Sequence, residues 1–401
     1  MDVLAGFRVI DLTMWAFVPS AGGVLAHWGA DVIKVESPRS PDPMRLVAGS
    51  LEPGDASWFF KHYSRGKRGI ALDVATDEGR EVLYRLVEGA DVFLTSYLTP
   101  TRKKLGFDID DIRAVNPDIV YARGTGQGPL GPDAERGGFD GATWWCRGSL
   151  AQSAMDVTGL DAPPSMVGHG DGMSGMTLAG GICAALLKRE RTGQTSVVDA
   201  SLLGTAIWFN GPSIISSGLG HDHMAALAAI PHAERHPTSN TYRTGDGRYL
   251  LLSMLADTDA EWVDLCARVG RPELGADPRF ATSADRNANG GAAVAALDEA
   301  FSARTLVEWG EALATAIGVW SPISSPLEIH DDPQTIANGF LRSVTYPSGP
   351  ISLPAPPILF DEEAGDPGKA PDFGEHTDEV LAEIGYDAAA IARLRGASVV
   401  A

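Results

Sequence analysis

The sequence predicts an α/β protein, with a doubly wound, mostly parallel sheet in a large domain and a smaller α+β domain after it. Three observations carry that prediction. Short apolar, β-branched stretches alternate with helical stretches from residue 7 to residue 122, as βαβ units require. A segment dominated by Gly, His and Pro, residues 219–237, then interrupts the pattern. Beyond it a hairpin signal precedes helical stretches bearing Trp262 and Trp309. The expected layout is 1–218 for the first part of the large domain, 219–327 for a linker and the small domain, and 328–401 for a return segment completing the large domain. At roughly 100–200 residues per domain, a chain of this length has ample core.

Taken in order, the first strand is Phe7-Arg8-Val9-Ile10-Asp11-Leu12 and the second Val32-Ile33-Lys34-Val35-Glu36, with a helix opening near Pro19 and ending at Gly29 between them. Gly69-Ile70-Ala71-Leu72 is the third. Thr76-Asp77-Glu78 opens a helix whose Val82, Leu83, Leu86 and Val87 share one face, and its acidic start suits the helix dipole. The strand Val92-Phe93-Leu94 follows, then a helix over 109–115 stopped by Asn116-Pro117, then Ile119-Val120-Tyr121-Ala122 and a glycine-rich loop. Regularity lapses over 131–164. Residues 173–187 read as a Gly- and Ala-rich helix suited to close packing, Val197-Val198 as a further strand, and 200–218 as one long apolar helix with Trp208 and Phe209. Thr241 to Leu252, turning at Gly245-Asp246-Gly247, is the hairpin. Ile351-Ser352-Leu353 is strand-like within a Pro-rich run, and a helix starts near Asp378.

Composition narrows the function classes. Hydrophobic residues at 44% and charged residues at 21% are those of a folded globular chain. Thirty-two basic against 52 acidic residues give a net charge of −20, a field that repels nucleic acid and anionic membranes. Cys146, Cys183 and Cys266 lie far apart without metal-ligand spacing, which fits a reducing compartment without disulfides. The N-terminus has neither the basic start nor the apolar run of a signal peptide, and no run of about 18 apolar residues occurs. A cytoplasmic protein with no nucleic-acid or membrane partner and no metal is expected.

Several segments are candidate sites. Gly124-Thr125-Gly126-Gln127-Gly128 has GxGxG spacing followed by Pro129, so it reads as a turn past a strand end and not as a dinucleotide fingerprint. His221, His223, His232 and His236 lie in a polar loop without paired helical spacing. Gly168-His169-Gly170-Asp171-Gly172 places one carboxylate at the mouth of a helix. Asp171 is either its N-cap or, with glycines admitting a bulky substrate and helix N–H groups nearby, a nucleophile. Lys67-Arg68 and Arg102-Lys103-Lys104 are either solvated faces or cradles for a polyphosphate, since screening over about 8 Å lets a local patch outweigh the total charge. Trp144-Trp145 either packs in the core, stacks on a base or lines an acyl pocket.

The chain resembles the class III (CaiB/BaiF-type) CoA-transferases, a family that also holds α-methylacyl-CoA racemases. The pieces that carry the resemblance run in family order: Gly6 to Thr13, Gly29 to Glu36, Lys67 to Asp73, Ala90-Asp91-Val92, Leu105-Gly106-Phe107, Asn116-Pro117, Gly170-Asp171, Thr192-Gly193, Tyr242 to Gly247, Asp277 to Phe280, Asp332-Pro333-Gln334 and Gly374 to Thr377. The resemblance implies a Rossmann-like core in a split large domain, a small inserted domain, and an interlocked homodimer. It implies that Asp171 is the catalytic aspartate, passing through an aspartyl-CoA intermediate as CoA moves from an acyl-CoA to a carboxylic acid, between molecules or within one diacid. Acyl-CoA is then the substrate and no cofactor is held permanently. The positions matching family CoA contacts are Ala16, Phe17, Leu72, Asp73, Ser96, Tyr97, Lys104, Arg136 and Phe139. Trp144, Trp145, Arg147 and Gly170 are expected beside the acyl group, with Arg147 the counter-charge for a short dicarboxylate, and Trp208 and Phe209 as further apolar lining.

Departures from the family pattern sharpen the reading. Val18-Pro19 stands where a Gly-Pro pair is common, Ser37 where an arginine frequently follows, with Arg39 nearby, and Ala75 where some members have lysine. The racemase branch uses a histidine in a Gly-His-Asp segment. Here that segment is Gly138-Phe139-Asp140, and phenylalanine exchanges no proton. Transferase is therefore expected over racemase or epimerase, and over a non-catalytic acyl-CoA-binding dimer.

Overall fold

The central strands carry runs of apolar residues around a few buried charges, and in the computed structural model, which describes residues 2–47 and 56–401, both of their faces are covered. Six parallel strands, β1 (Arg8–Leu12), β2 (Asp31–Glu36), β3 (Arg68–Ala71), β4 (Val92–Thr95), β5 (Val120–Thr125) and β6 (Val197–Ser201), form one sheet in the order β3-β2-β1-β4-β5-β6. This is the doubly wound order, which reverses direction between β1 and β4 and leaves a crevice outside the strands' carboxyl ends. The period of two sorts the side chains. Val9, Val32, Val92, Leu94 and Val120 face one apolar cluster, and Ile10, Ile33, Ile70, Phe93 and Tyr121 face the other.

On the first face lie α1 (Phe17–His27) and a long helix, His169–Thr192. On the second lie a helix over Asp77–Glu88, another over Ile109–Val115 and the C-terminal helices Thr377–Glu383 and Ala388–Gly396. In chain order the helices between are α2 (Trp58–Tyr63), α3 (Asp77–Glu88), α4 (Thr99–Leu105), α5 (Ile109–Val115), α6 (Leu150–Thr158), α7 (His169–Thr192), α8 (Leu202–Phe209) and α9 (Gly211–Gly218). The return segment covers the exposed edge of β3. His376 Nδ1 accepts from the Gly69 N–H at 3.2 Å, Thr377 Oγ1 accepts from Ala71 N–H at 3.1 Å, and Leu72 bridges Val400.

The chain forms two units, one of 1–155, 159–221 and 333–401, the other of 156–158 and 222–332, against expected divisions after 218 and 327. The second unit holds antiparallel β7 (Thr241–Arg243), β8 (Tyr249–Leu252) and β9 (Trp320–Pro322) around a core of Trp262, Phe280, Leu297, Phe301 and Trp309. In the first unit β10 (Leu341–Tyr346) and β11 (Gly349–Pro354) form a hairpin.

Three local expectations are corrected. The lapse over 131–164 contains a π-helical turn, Asp140–Arg147, and α6. The long helix over 200–218 is two, because Asn210 ends α8 and Pro212 starts a new first turn in α9. α7 begins at His169, ahead of Met173, so Asp171 is its third residue and not its cap.

Candidate active site

α7 opens on Gly168, whose φ of +83° favours glycine, and no side chain of its own first turn caps it. The cap comes from upstream. Asp140, at the start of the π-helical turn, accepts from Gly168 N–H at 2.6 Å through Oδ2 and from Gly170 N–H at 3.1 Å through Oδ1. The Tyr63 hydroxyl donates to Gly168 O at 3.1 Å. Of the two readings of Asp171, the N-cap role belongs instead to Asp140, and the Asp171 carboxyl is left without a hydrogen-bond partner among the described residues. Burial, with the Asp140 carboxylate beside it, pushes its ionisation up to about 7. Burial also raises Asp140, opposed by the two backbone N–H groups and by His169.

Two glycines make this geometry possible by close approach. A Cβ on Gly170 would stand 2.3 Å from Asp140 Oδ1 and from the Trp144 ring. A Cβ on Gly175, one turn beyond Asp171, would stand 1.7 Å from Ser20 Oγ and 2.8 Å from Phe17 O, so α7 lies directly against α1.

The opposite wall is the β1–α1 loop. Trp15 sits at φ +72°, a conformation that costs a non-glycine residue energy. It is held there by its N–H donating to Asp42 Oδ1 at 2.9 Å. Asp42 in turn pairs with fully buried Lys34 at 2.8 Å, whose ammonium also donates to Thr13 O at 3.0 Å. Ser96 Oγ accepts from Met14 N–H at 3.0 Å and ties the loop to the end of β4. The Trp15 ring meets Phe139 edge-on at 5.2 Å.

Between these walls lies a cavity of about 480 Å³, of the size that takes a small ligand. Of the residues named from the sequence, Ala16, Phe17, Ser96, Tyr97, Phe139 and Asp171 line it together. Val18 and Asp140, named from the sequence only as departures from the family pattern, line it as well, as do Met14, Trp15, Met44, Val167 and Leu202, which the sequence did not mark. Asp140 had one legible sign: a Gly168-His169-Gly170 helix start offers no capping side chain, so an acceptor must come from elsewhere.

The other residues expected to contact CoA or the acyl group lie outside this cavity. Trp144 and Trp145 are core residues, buried against α7 and α8. Gly170 is enclosed by Trp144 and Asp140. Arg147 is held outside the cavity by Gln127 at 2.7 Å and Asp133 at 2.6 Å. Trp208, 82% exposed, and Phe209 lie on the surface of α8. Leu72 is core at the end of β3, and Asp73 beyond it pairs with Arg39 at 3.0 Å; Lys104 and Arg136 are exposed, and none of these lines the cavity. The basic pairs are largely structural. Lys67 is fully buried against Asp11 at 2.7 Å, Arg68 binds Asp31 and Glu383, and Arg102 binds Asp108 at 2.9 Å. Gly124 and Gly126 serve packing, because a Cβ there would strike Val18 and Gly138 respectively. His232 pairs with Asp298 and His236 with Asp257, and no metal-binding cluster occurs among the described residues.

Fold and site together define an α/β enzyme with its pocket at the carboxyl edge of a parallel sheet. The model of CoA-transferase family III matches residues 4–377. The chain is 31% identical to the (R)-2-hydroxy-4-methylpentanoate CoA-transferase of Clostridioides difficile, over 99% of each chain. It is 31% identical to the succinyl-CoA:mesaconate CoA-transferase of Haloarcula marismortui, over 96% of this chain and 98% of the relative. A solved CaiB/BaiF family protein from Brucella suis superposes with a TM-score of 0.77 at 30% identity, covering 95% of this chain and 99% of that one. The chain belongs to CoA-transferase family III and is a CoA-transferase. No helix among the described residues is long and apolar enough to cross a membrane.

Proposed function

We propose that Asp171 accepts the acyl group from the incoming acyl-CoA. The observation that carries this reading is a carboxyl with no hydrogen-bond partner on the floor of the cavity, in the first turn of α7. Its carboxylate attacks the thioester carbonyl, the C–S bond breaks, and a mixed anhydride and CoA thiolate result. The thiolate attacks the aspartyl carbonyl, giving aspartyl-CoA and releasing the donor's carboxylate. An acceptor carboxylate then enters and the two steps run in reverse, so no atoms or electrons are gained or lost. A nucleophile ionising at about 7 is half charged at neutral pH, without the stabilising partners that would blunt its attack.

CoA lies along the carboxyl edge of the sheet in this reading. Asp73 follows β3, Arg39 follows β2, Ala16 and Phe17 follow β1, and Ser96, Tyr97 and Lys104 follow β4, which are neighbouring strands in that order. Arg39 and Lys104 offer exposed charge for phosphates, and Arg136 and Phe139 extend the strip beyond β5. The chain works as an interlocked homodimer with a split, Rossmann-like large domain, and exposed Trp208, Phe209 and Ile215 supply apolar area for its contacts. Three free cysteines suit the cytoplasm. The racemase reading is not favoured, since Phe139 holds no proton and Asp140 is committed to α7. Incubation with an acyl-CoA, followed by hydroxylamine or borohydride trapping and peptide mass spectrometry, is expected to modify Asp171. Full turnover by Asp171→Ala would end the proposal.

A further inference from the structure

We infer that the pocket takes monocarboxylic acyl groups with an apolar tail, aliphatic or aromatic, and rejects acyl groups that end in a second carboxylate. The inference rests on the proposed role of Asp171 for where the acyl group lies.

The tail's surroundings are Met14, Phe17, Val18, Met44, Phe139 and Leu202. No Lys, Arg or His lines the cavity among the described residues. Its ionisable groups are the Tyr97 phenol and two carboxyls, Asp140 and Asp171, so the local field is negative. Lys34 is committed to Asp42, Arg45 to Glu36, Arg102 to Asp108 and Arg147 to Asp133, while Arg136 and His169, also close in sequence to the lining, are exposed and outside it. The start of α7, the other natural seat for an anion, is filled as well, since Asp140 already takes the Gly168 and Gly170 N–H groups. A second carboxylate would therefore be desolvated, unpaired and close to like charge, while methylenes in the same place gain by leaving water.

Hexanoyl-CoA and adipyl-CoA have the same six-carbon backbone and differ by that terminal carboxylate. Loading is read without an acceptor, as formation of the CoA adduct on the peptide containing Asp171. Wild-type enzyme is expected to load from hexanoyl-CoA at least a hundredfold faster than from adipyl-CoA, and Leu202→Arg to narrow the ratio at least tenfold. Binding of both thioesters to Asp171→Asn, measured by calorimetry, isolates the pocket from the chemistry. There hexanoyl-CoA is expected to bind at least tenfold more tightly. Equal or tighter binding of adipyl-CoA overturns the inference. Tighter binding of hexanoyl-CoA together with no adduct on wild-type Asp171 upholds it and overturns the nucleophile reading instead.

Discussion

Asp171 should cost the protein stability, and replacing it with asparagine should return that stability. A carboxyl that ionises near 3.8 in the unfolded chain and at about 7 in the folded one binds its proton roughly a thousandfold more tightly when folded. At 1.36 kcal/mol per tenfold step, this is a destabilisation of about 4 kcal/mol once the pH exceeds both values, an upper bound because the cavity admits some water. The sign follows from proton counts. Between pH 4 and 7 the folded state holds the extra proton, so stability falls as pH rises through that window and levels off above it. With about 2.1 cal/mol/K of unfolding entropy per residue over the chain, Asp171→Asn is expected to raise Tm by up to about 5 °C at pH 8 and by little at pH 4, while abolishing transfer. Scanning calorimetry of both proteins from pH 4 to 8 provides the measurement. A gain that does not grow with pH, or a loss at pH 8, would refute the claim that this carboxylate is held desolvated and unpartnered.

Three further outcomes follow from the same geometry. In wild-type enzyme kcat/KM should fall about tenfold per pH unit below pH 7 and hold steady above, since Asp171 must be ionised to act as the nucleophile proposed above; Asp140→Asn should move that limb to lower pH by removing the neighbouring charge, as pH-rate profiles would report. Gly170→Ala should lose at least tenfold in kcat/KM and about 2 kcal/mol in urea unfolding, because its methyl must displace Trp144 or the Asp140 cap. Lys67→Met should lower stability by about 3–5 kcal/mol by leaving buried Asp11 uncompensated, and the double variant Asp11→Leu/Lys67→Met should recover much of it in the same assay.

How much of this the sequence disclosed depended on the range of the forces involved. β1, β2, β4 and β5 were legible because strands covered on both faces carry short runs of apolar, β-branched residues, and that is a local property. The start of α7 was not, since Gly168-His169-Gly170 has poor helix propensity and its stabilising acceptor is 28 and 30 residues upstream in Asp140. Lys67, Arg68 and Arg102 looked like free charge because Asp11, Asp31 and Asp108 reach them only through the fold. Asp171 stood out in the sequence as a carboxylate among glycines. Its place inside the helix, with another residue as cap, needed coordinates. The apolar residues around the cavity carry no mark in sequence, because Met14, Val18 and Leu202 read the same whether they meet a core or a ligand.

The missing Cβ at Gly175 has a mechanical consequence. With no gap between α7 and α1, neither helix can slide without the other, so the side chain at 171 and the Phe17 and Val18 wall behave as a single jaw.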